Sequence, residues 1–344
     1  MATNIAINGF GRIGRAFFKL ALTKPELNIV AINDLGDPEN LAYLLKFDSA
    51  YGRYGHEVSV KEAEGSKYLV VGGQSFLFIQ EKELAKLPWK DLGVDVVVEA
   101  TGVFTKYEQV QSHVDAGAKR VVLTAPAKDE DGPDAKTVLM GINAEELKTC
   151  TLSSNGSCTT NSASPVLQIL TETVGVEKAF LNTTHGYTAT QALIDGPTKG
   201  KDYRKGRAAA ANIIPATTGS AIAVGRAVHA VTGKFDGIAM RVPVLTGSLS
   251  AIVFVSSKKT NAEEINEILR KAAVESRWAG IFRASDEQLV SSDIVGDPYA
   301  AIADLTLTTV VDGNLCAVYS WYDNEFGYTN SLVMHVLEVA KALA

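Results

Sequence analysis

The sequence predicts an α/β chain of two domains, the first a doubly wound parallel sheet and the second an α+β fold on a mostly antiparallel sheet. Three observations carry that prediction. A length of 344 residues suits roughly two domains at about 150 residues each. In the first half, short β-branched runs alternate with segments of helical period, the pattern of a buried parallel sheet with helices on its faces. Beyond Asn155 the strands lengthen and are grouped beside helices, as in an α+β domain.

In chain order, Asn4–Asn8, Asn28–Asn33, Val94–Glu99 and Arg120–Thr124 read as strands, with helical segments at Arg12–Thr23 and Tyr107–Ala116. The run VDVVVEA is almost continuously apolar, as a strand covered on both faces must be. Tyr68–Gln80 differs: YLVVGG followed by SFLFIQ reads as a hairpin turning at Gly72 and Gly73, an excursion from the main sheet. In the second half Phe235–Val244 and Ser248–Ser256 read as strands, and Ala221–His229 and Ala262–Val274 as helices. Asp195–Pro215, rich in Gly, Lys and Arg and without a period, reads as a long ordered loop of the kind that usually serves function. Leu332–Leu343 is apolar at helical spacing and is expected to pack back on the first domain. The expected boundaries are therefore 1–157 for the first domain, completed by a helix over 325–344, and 158–324 for the second.

Lys and Arg number 33 against 39 Asp and Glu, a formal charge of −6, which excludes the basic footprint of a nucleic-acid binder. The one basic stretch, GKDYRKGR, is too short to reverse that, and Lys199, Lys201 and Lys205 within it suit a solvated face. No apolar run approaches the roughly 18 residues of a membrane helix. Met1–Gly9 carries no positive charge and no apolar run follows, so a cytoplasmic location is expected. Three cysteines, Cys150, Cys158 and Cys316, are an odd number and fit reduced thiols better than bridges. The cysteines and histidines lack the paired short spacings of a metal site, so no metal is expected.

Gly9, Gly11 and Gly14 form GFGRIG directly after the strand at Asn4–Asn8 and directly before a helical pattern. That context turns a weak motif into the signature of a Rossmann-type dinucleotide site. The first glycine permits the tight turn, the second lets pyrophosphate approach the backbone, and the third lets helix and strand pack closely. The helix start then offers amides to phosphate. Asp34, at the end of the second strand, sits where a carboxylate accepts hydrogen bonds from ribose hydroxyls, which predicts NAD in preference to NADP.

In the second half, Cys158 lies in SSNGSCTTNSASP, between the strand-like TCTLSS and the helical PVLQILTET, a turn where amides and a helix dipole would favour the thiolate. Pro165 leaves open where that helix begins. Cys150 and Cys316, inside apolar strand patterns, suit small buried hydrophobes. Of five histidines, His185 in LNTTHGYTATQ stands at the polar end of an apolar run, where a strand can bring it to Cys158 as base. Thr188, Arg204, Arg207, Thr218 and Arg241 gather hydroxyls and guanidiniums in the same half, and a guanidinium binds phosphate in bidentate fashion. Arg241, inside the apolar GIAMRVPV, is poorly explained as a solvated charge.

The ordered set NGFGRIGR, EATGVF, SCTTN, HGYTATQ, RAAAANIIP, MRVPV and WYDNEFGY resembles the phosphorylating glyceraldehyde-3-phosphate dehydrogenases, nearly end to end. The resemblance implies oxidation of the aldehyde through a thiohemiacetal and a thioester on Cys158, hydride passing to NAD and inorganic phosphate releasing the acyl phosphate. His185 would be base and then acid, and the Cys158 amide and His185 would stabilise the oxyanion. Thr188 and Arg241 would hold the phosphate of glyceraldehyde 3-phosphate; Ser157, Thr159, Thr218 and Gly219 would serve the attacking phosphate, with Arg204 a further phosphate candidate. Arg12, Ile13, Asp34, Thr124 and Lys82 would line the dinucleotide, and Asn324 would bind the nicotinamide carboxamide. The loop at Asp195–Pro215 would reach a neighbouring subunit's cofactor, which implies a homotetramer. Gly156, Ser162 and Gly186 depart from the family's commoner residues without removing a functional group, and RVPVLTGSLSAIVF departs in loop geometry and bears on substrate breadth. Two alternatives stay open: an erythrose 4-phosphate dehydrogenase of the same fold, and a nucleotide-binding redox sensor that keeps Cys158 for oxidation.

Overall fold

The computed structural model describes residues 2–198 and 200–343. Lys199, one of the lysines assigned to a solvated face, and the two end residues of the expected first domain, Met1 and Ala344, lie outside the described residues. The chain divides into two compact units. The first runs to Val138 and adds Ala144–Gly156 and the chain from Leu332 onward; the second comprises Leu139–Asn143 and Ser157–Ser331.

The first unit contains, in order, β1 (Thr3–Asn8), α1 (Arg12–Ala21), β2 (Leu27–Asn33), α2 (Pro38–Lys46), the two-residue strands β3 (Phe47–Asp48) and β4 (Gly52–Arg53), β5 (Val58–Ala63), β6 (Ser66–Val71), β7 (Gln74–Ile79), β8 (Val96–Glu99), α3 (Tyr107–Asp115), β9 (Arg120–Leu123), β10 (Ala135–Thr137) and β11 (Leu152–Ser154). Nine of these strands form one sheet in the order β10-β11-β9-β8-β1-β2-β7-β6-β5. It is parallel from β10 to β7 and antiparallel from there to β5. The expected hairpin is β6–β7, with Gly72 and Gly73 both at positive φ, the conformation its tight turn demands. A third strand, β5, extends it; its sequence VSVKEA exposes alternate polar residues and escapes a search for apolar runs. Helix α2 also escapes that search, although Pro38 at its start and Asp37, whose carboxylate accepts from the Asn40 amide, mark it.

Strand β1 is flanked by β2 on one side and β8 on the other, so the connections leave it in opposite directions. Asn8, Asn33 and Glu99, at the C-terminal ends of these three strands, lie in register side by side. A crevice forms at such a switch point, outside the carboxyl ends of the strands.

The second unit contains α4 (Cys158–Thr173), β12 (Val176–Gly186), β13 (Ile214–Thr217), α5 (Ser220–Ala227), β14 (Phe235–Val242), β15 (Ser248–Ser256), α6 (Ala262–Ala273), β16 (Phe282–Ser285), β17 (Ala301–Val311), β18 (Leu315–Tyr322) and the first turns of α7 (Phe326–Leu343). Its sheet has the order β13-β14-β12-β15-β18-β17-β16. Only β12–β14 and β16–β17 pair in parallel among these strands, so the sheet is mostly antiparallel as predicted. Helix α4 packs on β12, β15, β17 and β18 through Val166, Leu167, Ile169 and Leu170, all buried.

Two details go beyond the sequence reading. The helix after Cys158 does not wait for Pro165: the Ser157 hydroxyl accepts from the Thr160 amide, caps α4 and starts it at Cys158, leaving Pro165 in the interior. The loop after Asp195 ends at Ile214, where β13 pairs with β14, a tertiary pairing that no local period reveals. Within the loop, Asp195 accepts from the Arg207 guanidinium and the Ala208 amide, and the Gly196 amide donates to the Gly206 carbonyl, so its order is intrinsic.

Candidate active site

In the first unit a cavity of about 640 Å³ opens at the ends of β1, β2 and β8, lined among others by Asn8, Gly9, Gly11, Asn33, Asp34 and Thr101. Gly9 adopts φ +97, and a Cβ there would stand 2.5 Å from the Thr101 nitrogen; a Cβ at Gly14 would strike the Gly9 carbonyl oxygen. Both glycines are therefore dictated by close approach. Gly11 is the N-cap of α1, brings no side-chain cap and faces open space, so no side chain blocks the approach of an anion to the helix start.

Behind the cavity runs a buried polar chain. Asn33 Nδ2 donates to Asn8 Oδ1 at 2.7 Å, and Asn8 Nδ2 donates to Glu99 Oε2 at 2.5 Å. The Thr101 hydroxyl donates to Glu99 Oε1, and the Thr101 amide donates to the same oxygen at 2.9 Å. His113 closes the chain: an indole N–H can only donate, so the Trp89 bond at 2.9 Å makes Nδ1 the acceptor and leaves the Nε2 proton for Glu99 at 3.1 Å. The fully buried carboxylate is thereby satisfied, and the residues at the cavity wall are held in place.

Asp34 lines the cavity, but each of its oxygens also holds a backbone amide, Phe10 N at 2.6 Å on Oδ2 and Gly36 N at 2.7 Å on Oδ1. The carboxylate is thus fixed in orientation while retaining lone pairs for hydroxyl donors. Lys82 stands exposed on the cavity rim. Arg12 and Ile13 occupy the first turn of α1, with Arg12 Nη2 3.2 Å from Asp48. Thr124 follows β9, its amide on the Glu99 carbonyl at 3.1 Å. A glycine turn, an open helix start and an oriented carboxylate around one cavity fit a dinucleotide such as NAD.

In the second unit Cys158 is the first residue of α4 and His185 the penultimate residue of β12. Sγ lies 3.3 Å from His185 Nε2. His185 Nδ1 lies 2.6 Å from the Gly186 carbonyl oxygen and 2.6 Å from Arg241 Nη1, because β12 and β14 pair in a register that sets Arg241 opposite His185. Burial and then the Arg241 charge push His185 down to about 3, so the imidazole is neutral near pH 7. Burial pushes the Cys158 thiol up, opposed by the Arg241 charge and by hydrogen bonding at Thr159. The expected helix start is beside the sulfur, while desolvation acts against the thiolate that such a start favours. A neutral imidazole beside a thiol pairs a base with the acid it can deprotonate.

Around this pair the hydroxyls divide into two groups. Ser157 Oγ lies 3.0 Å from Ser220 Oγ, and Thr218 donates to Ser220 at 2.8 Å, so Ser157 and Thr218 meet at the start of α5, whose N-cap is Gly219. Thr159 is turned elsewhere: its hydroxyl lies 2.9 Å from the Tyr322 hydroxyl, which is itself 2.8 Å from Thr183. The Thr159 hydroxyl is thus engaged by the buried Tyr322. Arg204 lies on an exposed turn, its Nε 2.7 Å from Asp202. Thr188 follows β12 by two residues, its hydroxyl 3.0 Å from that of Thr190. Asn324 Oδ1 accepts from Ser248 at 2.9 Å and Thr246 at 3.2 Å, which directs its amide NH₂ away from those bonds. Ser220 and Tyr322 were not foreseen, Ser220 because an isolated serine carries no pattern and Tyr322 because it completes an apolar strand. Among the described residues no cluster of side chains suited to a metal ion occurs.

The sequence matches two family models in chain order: residues 3–107 match the NAD binding domain of glyceraldehyde 3-phosphate dehydrogenase, and residues 157–324 match its C-terminal domain. A glyceraldehyde-3-phosphate dehydrogenase of Clostridium pasteurianum is 45% identical over 343 residues, covering 98% of this chain and 99% of the relative. Those of Clostridium acetobutylicum and Mycobacterium avium are 46% and 45% identical, over 98% and 100% of this chain. Identity at this level extends through both units and leaves neither half to another ancestry: the chain belongs to the glyceraldehyde-3-phosphate dehydrogenase family.

Proposed function

We propose that this enzyme oxidises glyceraldehyde 3-phosphate to 1,3-bisphosphoglycerate, using NAD and inorganic phosphate, through a thioester on Cys158. The contact that carries the reading is Cys158 Sγ to His185 Nε2 at 3.3 Å. Neutral His185 takes the thiol proton, and the sulfur attacks the aldehyde carbon. The resulting oxyanion lies where the Cys158 amide and the imidazolium can donate to it. NAD, when bound, supplies the hydride acceptor. The imidazolium gives its proton to the oxyanion to form the thiohemiacetal hydroxyl, and as the C–H hydride leaves and the thioester carbonyl forms, the neutral imidazole takes that proton back. A phosphate oxygen then attacks the acyl carbon, the C–S bond breaks, and the electron pair returns to sulfur.

Arg241 and Thr188 are proposed to hold the substrate phosphate, and Ser157, Thr159, Thr218 and Gly219 the attacking one, with Arg204 a further phosphate ligand, supported by the hydroxyl cluster at the α5 N-cap. Gly9, Gly11, Gly14 and Asp34 are proposed to hold NAD, with Arg12, Ile13, Lys82 and Thr124 nearby, and Asn324 to orient the nicotinamide; the two units would then serve as dinucleotide-binding and catalytic domains. The homotetramer and a cytoplasmic location remain part of the proposal. Support for assembly comes from Leu193, Ile194, Tyr203 and Ile213, large apolar side chains each at least 70% exposed around the loop after Asp195. NAD reduction measured on glyceraldehyde 3-phosphate and erythrose 4-phosphate, each with and without inorganic phosphate, tests the reading. Phosphate-dependent turnover that favours the triose is expected; preference for the tetrose with release to water would overturn it.

A further inference from the structure

His185 Nδ1 has two neighbours it cannot satisfy together. The Gly186 carbonyl, 2.6 Å away, can only accept a hydrogen bond, and Arg241 Nη1, also 2.6 Å away, can only donate one. A neutral imidazole therefore chooses. If Nδ1 accepts from Arg241, its proton sits on Nε2 and points at the Cys158 sulfur, and no lone pair faces the thiol. If Nδ1 donates to Gly186, the lone pair of Nε2 faces the thiol and can take its proton. Arg241 Nη1 also reaches the Gly186 carbonyl at 3.1 Å, so the guanidinium competes with Nδ1 for that acceptor too.

We propose that Arg241 switches the tautomer of His185, and that a phosphate dianion drawing the guanidinium toward itself arms Nε2 as the base for Cys158. This rests on the reading above in which Arg241 meets the substrate phosphate, and adds to it that the phosphate end of the substrate controls the nucleophile at the other end. In the armed state the S–H bond breaks, its proton passes to Nε2, the electron pair stays on sulfur, and Nδ1 keeps its proton on Gly186. The charge of Arg241 opposes an imidazolium and favours a thiolate, so offsetting it acts on the two partners in opposite senses, and the tautomer is what the dianion shifts. The other ionisable neighbours do not compete: Tyr322, whose ring centroid is 5.9 Å from that of His185, and Tyr328 are both kept as phenols by burial. Binding energy from a remote group is thereby spent on the chemical step and not on affinity alone.

The test is the rate at which neutral iodoacetamide alkylates Cys158 in the full-length enzyme, located by peptide mass spectrometry, from pH 6 to pH 9 with and without inorganic phosphite. In the native enzyme the dianion should raise alkylation near pH 7 by about tenfold, the scale on which one such hydrogen bond biases two states. Arg241→Met should reach the raised rate without phosphite and lose the response to it. If Arg241 acts only as a charge that favours the thiolate, the variant slows instead, which overturns the switch, as does a native enzyme indifferent to the dianion. The KM of the phosphorylated aldehyde keeps the two readings apart. A KM unchanged in Arg241→Met refutes the phosphate contact itself, whereas a raised KM with unaltered alkylation refutes the switch alone.

Discussion

Cys158 and His185 share one proton, and their environments determine where it rests. Cys158→Ser should abolish acyl transfer while leaving NAD binding intact, because a hydroxyl is a much poorer nucleophile than a thiolate; NAD titration beside a turnover assay checks both, and near-native turnover would refute the role. His185→Asn should keep the thiol in place and slow the reaction by about 10² to 10⁴; an unchanged rate in stopped flow would assign the base elsewhere. Asp34 is proposed to set coenzyme choice. Its carboxylate, oriented by the amides of Phe10 and Gly36, repels a 2′-phosphate by about 1 kcal/mol in water and about 4 kcal/mol near a protein surface. NAD should accordingly be favoured over NADP tenfold to several hundredfold on about that scale, with a selective NADP gain in Asp34→Ala; comparable native kcat/KM values for the two coenzymes would end the argument. These residues were legible because each is chemically out of place, a thiol among hydroxyls or a guanidinium in an apolar strand. Tyr322 was not, because the packing that sets a buried phenol against the Thr159 and Thr183 hydroxyls is not encoded in sequence spacing.

The glycine turn and α1 act as one element. Gly14→Ala would drive a methyl group into the Gly9 carbonyl oxygen, and overpacking of this sort costs about 1 to 3 kcal/mol. NAD affinity should fall at least about tenfold by fluorescence titration, while Cys158 in the other unit still alkylates. Retained affinity would show that the helix can shift without loss. At this scale strands with a strong apolar run and helices with a clean period were readable. Those that fail locally succeed through partners: β5 against β6, β13 against β14, and α4 through the Ser157 cap in spite of Pro165.

At the scale of the molecule, two buried histidines tie stability to acidity. His185 and His335 are each pushed down to about 3, by burial first; His335 sits in the first unit with Nε2 2.8 Å from Ser153. Their folded values lie below the unfolded value of 6.5. The contribution is therefore complete above pH 6.5 and is lost as pH falls toward 3, at about 1.4 kcal/mol per pH unit for each. Urea midpoints at pH 7 and pH 4.5 should show this loss, and His335→Asn should reduce the slope; an unaltered slope would place the acid sensitivity elsewhere. The two-domain alternation was legible from the sequence, because the period of apolar residues changes with the kind of sheet they must cover. The sharing of α7 was less so, since a helix pattern does not say where it divides. Residues to Ser331 belong to the second unit and those from Leu332 to the first. During synthesis on a ribosome this inverts the order of the chain: the first unit, begun first, waits for the last segment to emerge, and the second can close before it. Nascent chains stalled with Ser331 just outside the exit tunnel should resist protease over 157–331 and remain cleavable in the nucleotide-binding half, and the opposite pattern would reverse this order of assembly.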